Sequence, residues 1–143
     1  RASISIRATA SATAAPPMTT LPSLGRIGQI ALSVHDMGRA VRFWRDVVGL
    51  KFLFEAPNVA FFDCAGQRLM LSQAQTPELK PSGTVLYFDS ADLERDFALV
   101  KSRGATVAPN GEPHLVAPLG DKQLWMGFFS DPDGNVFALM QLR

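Results

Sequence analysis

The sequence predicts an α+β fold in which one βαβββ unit occurs twice. Three observations lead to this prediction. Short runs alternate apolar and polar residues, which is the spacing of a strand with one buried face. Two longer runs place apolar residues at helical spacing, each directly after an aspartate. The same order of elements follows twice along the chain, and two such units must bury their sheets together to be stable.

The first half covers residues 26–73. Its opening strand lies within 27–34, where every second residue from Ile30 onward is aliphatic. Asp36 is the expected N-cap of the helix that follows, and Gly49 ends that helix. Three short strands complete this half, and turn-forming residues separate them. They are 51–54, 59–63 and 68–73.

An exposed connector, 74–83, leads to the second half, residues 83–142. There Asp92 is the expected N-cap of a helix that ends at Gly104. The predicted strands of this half are 84–89, 113–117, 124–130 and 135–142. Superposing the halves matches Asp36 with Asp92, Asp63 with Asp131, Gly66 with Gly134 and Gln67 with Asn135. We attribute the greater length of the second half to an excursion around 118–122.

Residues 1–25 are predicted to form a flexible tail before a single domain of residues 26–143. The tail is rich in Ala, Ser, Thr, Arg and Pro, so it has no apolar face to bury. It resembles part of an organelle transit peptide; alternatively, Met18 is the true start and residues 1–17 are an upstream extension. We favour the second interpretation and expect a cytoplasmic protein, with an organelle lumen as the alternative location.

Charge and cysteine content exclude several classes of function. Fourteen Lys plus Arg residues against thirteen Asp plus Glu give a net charge of +1, which does not indicate a polybasic surface for binding nucleic acid. The single cysteine, Cys64, has no internal disulfide partner, which fits a reducing compartment. The apolar runs are far shorter than the ~20 residues that span a bilayer. We therefore expect neither a nucleic-acid partner nor a membrane partner.

Three motifs, together with the repeat, give the chain a resemblance to a known superfamily. The motifs are 27–32, 43–50 and 128–135. The most specific part is Asp-Pro-Asp-Gly-Asn at 131–135, where Gly134 suits the positive-φ position of a turn. On these residues the chain resembles the vicinal oxygen chelate superfamily of glyoxalases, bleomycin-resistance proteins and extradiol dioxygenases, over about residues 26–142. The resemblance implies that each half forms half of an open, cupped barrel and that ligands bind in the cleft between the sheets.

The resemblance also implies where a divalent metal would lie. Family enzymes take its ligands from the first and fourth strands of each half. The matching positions here are Gln29, Met70, Val85 and Ala138. Only the Gln29 amide is a ligand for a hard or borderline cation, since a thioether suits soft metals. We therefore expect no metal and no cofactor in this cleft, which disfavours glyoxalase I and extradiol dioxygenase activity.

The residues predicted to face the cleft are mostly apolar with sparse polar groups, as in a small-molecule pocket. The predicted ligand-binding set is Gln29, Met70, Val85, Tyr87, His114, Trp125 and Ala138. His114 and Tyr87 are also the candidate catalytic residues, because an imidazole or phenol transfers protons. Each polar or aromatic member is also compatible with a structural role, such as a backbone-bonded Gln29 or a core Trp125.

Three functions therefore remain open. The first is binding of a small organic ligand without catalysis, as in the metal-free bleomycin-resistance proteins that the chain resembles. The second is a metal-independent lyase or isomerase in which His114 or Tyr87 transfers a proton. The third is a non-catalytic subunit of a larger assembly. Related chains of this size pair with one another, and open sheets leave edges for a partner to cover, so we expect a homodimer.

Overall fold

The computed structural model describes residues 21–23, 25–73 and 83–143. Most of the predicted tail and the connector 74–82 therefore lie outside the described residues. The helices are α1 (Met37–Arg42), which continues as a π-helical segment (Phe43–Val48), and α2 (Leu93–Ser102). The strands are β1 (Gln29–Val34), β2 (Lys51–Ala56), β3 (Val59–Cys64), β4 (Gln67–Gln73), β5 (Leu86–Asp89), β6 (Thr106–Val107), β7 (His114–Leu119), β8 (Lys122–Ser130) and β9 (Val136–Leu142). Within these ranges neither helix is long and apolar enough to span a membrane.

Each half forms its own sheet. The first sheet has the order β1-β4-β3-β2 and the second has the order β5-β9-β8-β6, with β7 pairing β8. The first strand of each half runs parallel to the last strand of that half, and the other pairings are antiparallel. The predicted α+β fold with two βαβββ units is thus confirmed; β6 pairs with β8 where the start of β2 pairs with β3. The described strands remain two sheets and do not close into a barrel.

One hydrophobic core joins the two halves on the helix-facing sides of the sheets. Trp44, from the π-helical segment of the first half, packs against Phe137 of β9 with ring centroids 5.0 Å apart. Phe97 of α2 stacks on Phe129 of β8 at 4.3 Å. Burying each such large side chain contributes about 1.5–3 kcal/mol to folding. The opposite face of each sheet carries no helix, and we call these two surfaces the open faces.

Both predicted helix caps are confirmed. The Asp36 carboxylate accepts the backbone N–H of Arg39 at 3.1 Å, and Asp92 accepts that of Arg95 at 3.2 Å. Gly49 ends the first helix with a φ of 89°, a left-handed conformation that glycine adopts without steric cost. The first helix differs from the prediction in its second part, which is π-helical; the adjacent Phe43 and Trp44 are both buried there.

Gly127 lies in the middle of β8. A glycine at such a position weakens a strand, and it often marks a place where another group packs close to the backbone. A Cβ built on Gly127 would lie 2.5 Å from two ring carbons of Phe97. The Phe97 ring of α2 therefore occupies the volume that a side chain at position 127 of β8 would need.

The predicted excursion around 118–122 is the tip of a long hairpin. Leu119 pairs with Lys122 across a two-residue turn, in which Gly120 has a φ of 64°. This left-handed residue closes β7 and β8 into one hairpin. The extra length of the second half lies mainly in this hairpin: the pair His114–Met126 matches Ala56–Val59 of the first half and encloses eleven residues instead of two.

The two equivalent turns also differ in length. The turn between β3 and β4 has two central residues, 65–66, whereas the turn between β8 and β9 has three, 132–134. The superposition of Asp63 with Asp131 is therefore wrong by one position. The strand register places Asp131 where the first half has Cys64.

The longer turn ties the second half to β1. The Asp133 side chain, only 1% exposed, accepts the backbone N–H of His35 at 2.7 Å. The same oxygen lies 3.1 Å from His35 Nδ1 and 3.2 Å from the Arg39 guanidinium. The Asn135 amide donates to the Ser33 carbonyl at 3.1 Å. These contacts fix the end of β1 against the second half.

Asp131 holds the same turn from within. Its Oδ1 accepts the backbone N–H groups of Asp133 and Asn135 at 2.9 and 2.7 Å, and its Oδ2 accepts the Asn135 amide at 2.9 Å. Burial nevertheless raises the pKa of Asp131 above its ordinary value, because desolvation of the carboxylate outweighs these hydrogen bonds.

Candidate functional site

The open face of the second sheet brings two predicted site residues into one row. Tyr87 and Phe128 both lie beside Ala138 in the strand register, and His114 lies beside Met126 on the same face. The Phe128 ring is 6.4 Å from the Tyr87 ring and 6.1 Å from the His114 ring, centroid to centroid. Tyr87 is 51% exposed. The three rings form an aromatic row that solvent reaches.

Phe128 is the member of this row that the sequence reasoning missed. It stands two residues from Met126 in a run where large apolar residues occupy both faces of the strand. Strand alternation alone therefore does not separate the cleft side from the core side of β8. The pairing of Phe128 with Ala138, itself a predicted site position, is the signal that identifies it.

The hydrogen bonding of His114 fixes which ring nitrogen is free. Its Nδ1 lies 2.7 Å from the backbone carbonyl of Glu112, which only accepts. Nδ1 therefore donates, and Nε2 of the neutral ring keeps its lone pair. The Glu112 carboxylate is paired with Lys101 Nζ at 2.9 Å. A backbone carbonyl, rather than this carboxylate, thus orients the imidazole.

The open face of the first sheet holds the other predicted polar group, Gln29. Its Nε2 lies 3.6 Å from Met70 Sδ, so two of the predicted site residues touch. Three further residues share this face, of which Arg68 was not predicted. Phe54 and Phe61 stack with centroids 4.6 Å apart, and the Arg68 guanidinium lies 5.1 Å from the Phe61 centroid. Alternation along β4 would have found Arg68, which stands two residues before Met70.

Val85 and Tyr87 line an apolar recess between the two sheets. The recess has a volume of about 360 Å³ and reaches Ile30, Leu69 and Cys64. Burial and the neighbouring Asp63 raise the pKa of the Cys64 thiol, which lowers its reactivity at neutral pH. The recess is therefore lined mainly by hydrocarbon from the helix-facing sides of the two sheets, and its thiol is a weak nucleophile.

Trp125 is not brought together with the other predicted site residues. It alternates with Met126 along β8, so its ring lies on the helix-facing side, against the hydrophobic core. Its Nε1 donates to Gln123 at 3.2 Å, and the Arg143 guanidinium covers the ring at 4.4 Å. This environment is that of a packed structural tryptophan.

The four positions that correspond to the family's metal ligands do not fit a divalent cation. Gln29 offers one amide oxygen and Met70 offers a thioether, whereas Val85 and Ala138 offer hydrocarbon. Hard and borderline cations require carboxylate or imidazole ligands. The described part of the chain contains no group of three His, Cys, Asp or Glu side chains placed to hold a metal ion.

A sequence profile of the Glyoxalase/Bleomycin resistance protein/Dioxygenase superfamily matches residues 26–139. Among curated proteins, the metallothiol transferase FosB of Staphylococcus saprophyticus is 24% identical over 118 residues, which cover 79% of this chain and 74% of that protein.

Two solved structures illustrate the likeness in fold. The antibiotic-binding protein TnmS3 from a Streptomyces species superposes with a TM-score of 0.65 at 23% identity, covering 86% of this chain and 100% of that chain. A lactoylglutathione lyase from Agrobacterium tumefaciens gives 0.62 at 23% identity, covering 84% and 96%. At these identities the likeness concerns the fold alone, and it confirms the fold that the sequence motifs implied.

Proposed function

We propose a function from one established premise: the chain belongs to the Glyoxalase/Bleomycin resistance protein/Dioxygenase superfamily. The protein binds a small organic molecule against its open faces, and it does so without a metal ion. The observation that carries this proposal is the aromatic row of Tyr87, Phe128 and His114.

The chemistry of the aromatic row suits a flat organic ligand. Its rings expose π-faces on which a planar molecule stacks, while the Tyr87 hydroxyl and His114 Nε2 supply polar groups at the two ends. Aromatic side chains half exposed on a sheet face leave apolar surface in water, which ligand binding would cover. TnmS3, an antibiotic-binding protein, has the same fold and supports a binding function for this one.

The donor set supports the metal-free part of the proposal. A metallothiol transferase and a lactoylglutathione lyase share the fold, yet the four equivalent positions here hold one amide, one thioether and two hydrocarbon side chains. Such a set binds divalent cations too weakly to keep them at cellular concentrations.

A proton-transfer activity is the second candidate, and the hydrogen bonding of His114 favours it. With Nδ1 donating to the Glu112 carbonyl, Nε2 is presented as a base beside Phe128. A ligand stacked on Phe128 would place its acidic C–H or O–H group within reach of that nitrogen. A lyase or isomerase step that needs only one base is compatible with this arrangement.

We also propose that two copies pair. Each open face is a half-cup that a second sheet would close, and exposed apolar side chains such as Phe54, Tyr87 and Leu119 border them. Sedimentation at tens of micromolar is expected to give the mass of a dimer; a monomer at that concentration would contradict the pairing.

The experiment that tests the binding function is a fluorescence titration with N-phenyl-1-naphthylamine, a neutral two-ring dye. We expect saturable binding that Phe128→Ala weakens about ten-fold. Leu115→Ala is the matched control, because Leu115 is an exposed residue of β7 next to His114 on the other face. Equal affinity in Phe128→Ala and wild type would refute the aromatic row as the site.

Native mass spectrometry of the purified protein tests the metal-free part separately. We expect the mass of the chain with or without a co-purified organic molecule. One divalent metal ion per chain would overturn this part of the proposal and leave the dye result untouched.

A further inference from the structure

We infer that the ligand is a planar organic anion and that Arg68 recognises its negative charge. The inference rests on the proposed function, because it takes the open faces to be the binding site. It adds the chemical class of the ligand and the residue that selects it.

Arg68 is held in place without being neutralised. Its guanidinium lies 5.1 Å from the Phe61 centroid and 6.0 Å from the Phe54 centroid, over a stacked pair of rings. No carboxylate among the described residues lies within 4.0 Å of it. Arg39 and Arg45, by contrast, both have carboxylate partners. The Arg68 guanidinium is thus available to pair with an anionic group of a ligand.

The ring pair prepares the guanidinium for an anion. A guanidinium that rests on aromatic faces loses water from its flat side and keeps its edge N–H groups available. Those edge groups form paired hydrogen bonds with a carboxylate, sulfonate or phosphate. Phe54 is 46% exposed, so a flat ligand attached to that anionic group has a ring to stack on.

A neighbouring amide supplies a second polar contact. Gln29 lies beside Arg68 in the parallel pairing of β1 and β4, so both side chains leave the same face. Among the described residues, the Gln29 amide N–H has only the weak acceptor Met70 Sδ, at 3.6 Å. A ligand oxygen bound to Arg68 would offer this amide a better acceptor.

The remaining charges of the face leave an excess of one positive charge. Asp63 lies directly opposite Arg68 in the β3–β4 register, and Lys51 lies opposite Asp63 in the β2–β3 register. Two cations and one carboxylate therefore share this part of the first sheet, with no ion pair among them within 4.0 Å. The Asp63 carboxylate competes with an incoming anion for Arg68. Removing its charge should therefore raise the affinity for an anion, whereas removing Arg68 should lower it.

The experiment compares two dyes with nearly the same ring system and different charge. 1-Anilinonaphthalene-8-sulfonate carries a sulfonate, whereas N-phenyl-1-naphthylamine is its neutral counterpart. We expect Arg68→Gln to weaken the sulfonate about ten-fold and the neutral dye less than about two-fold. Asp63→Asn is expected to tighten the sulfonate roughly two- to five-fold and to leave the neutral dye unchanged.

Two further variants keep the test interpretable. Arg95→Gln removes an exposed arginine of α2 and is expected to change neither dye, so it reports any effect of net charge alone. Arg68→Lys keeps the charge without the planar fork and is expected to weaken the sulfonate by about two- to five-fold. Unchanged thermal unfolding of each variant shows that the sheet is intact.

The outcomes separate this inference from the proposed function. If both dyes bind wild type and Arg68→Gln alters neither, or both equally, the anion inference is overturned and the binding function stands. If neither dye binds saturably to wild type, the binding function fails and the inference fails with it. Opposite shifts of the sulfonate in Arg68→Gln and Asp63→Asn, with the neutral dye constant, support the inference.

Discussion

The two hairpin turns that precede the last strand of each half have diverged in a way that explains how the halves are joined. The turn between β3 and β4 is a two-residue loop in which Ala65 and Gly66 both have positive φ, and it is exposed. The turn between β8 and β9 has one residue more, and its Asp133 is buried against the first half. One additional residue thus distinguishes the turn that anchors the two halves from the turn that lies at the surface.

The largest effect on this comparison is expected from Asp133→Ala. The change removes the carboxylate that accepts the backbone N–H of His35 and that pairs with the Arg39 guanidinium. We expect a loss of about 2–4 kcal/mol in the free energy of unfolding, measured by urea denaturation. Asp121→Ala is the control, because Asp121 is an exposed carboxylate in another turn. Equal losses in the two variants would show that Asp133 does not anchor the halves.

The next largest difference in stability is expected between variants of Asn135, which precedes β9, and Gln67, which begins β4. Asn135→Ala removes donors to the Ser33 carbonyl and to the Asp131 carboxylate, so we expect a loss of about 1–3 kcal/mol. Gln67 stands at the equivalent position, and within the described part of the chain its side chain donates only to the carbonyl of the next residue. Gln67→Ala is therefore expected to cost less than about 0.5 kcal/mol. Equal unfolding midpoints for the two variants would contradict the assignment of different roles.

A smaller effect is expected in the pH dependence of stability. Because burial raises the folded-state pKa of Asp131, the folded chain binds this proton more tightly than the unfolded chain does. The stability from this group is full below the unfolded value of about 3.9 and is lost as pH rises through the folded pKa. The advantage of wild type over Asp131→Asn should therefore shrink from pH 4 to pH 7 in urea titrations. If the difference in unfolding free energy between wild type and Asp131→Asn grows with pH, the pKa of Asp131 is lowered by folding and this prediction is wrong.

The smallest effect concerns Cys64, which occupies the register position of Asp131 in the other half. Burial and Asp63 raise the pKa of its thiol, so less thiolate is present at pH 8 than in a free cysteine. We expect its reaction with a chromogenic disulfide to be several-fold slower in the folded protein than in urea. A folded-state rate equal to the unfolded one would show that the first turn does not shield the thiol.

Sequence reasoning reached the fold more fully than the site. Periodicity and capping residues predicted both helices and the strands of both halves, because these signals are local. The extra residue at 132–134 escaped superposition, since sequence spacing alone does not reveal which residues pair across a turn. Arg68 and Phe128 escaped for a different reason. Their role depends on neighbours from adjacent strands, such as Phe61 beside Arg68, and those neighbours are distant in sequence.

The shared volume of Gly127 and Phe97 has a consequence for how this sequence can change. A methyl group at position 127 would collide with the Phe97 ring at 2.5 Å, and a smaller residue at 97 would leave a cavity while position 127 stays glycine. We therefore expect each single substitution to lower stability, and the pair Gly127→Ala with Phe97→Leu to lower it less than the two changes added together. The two positions are therefore energetically coupled: a sequence that exchanges both residues one at a time passes through a less stable intermediate.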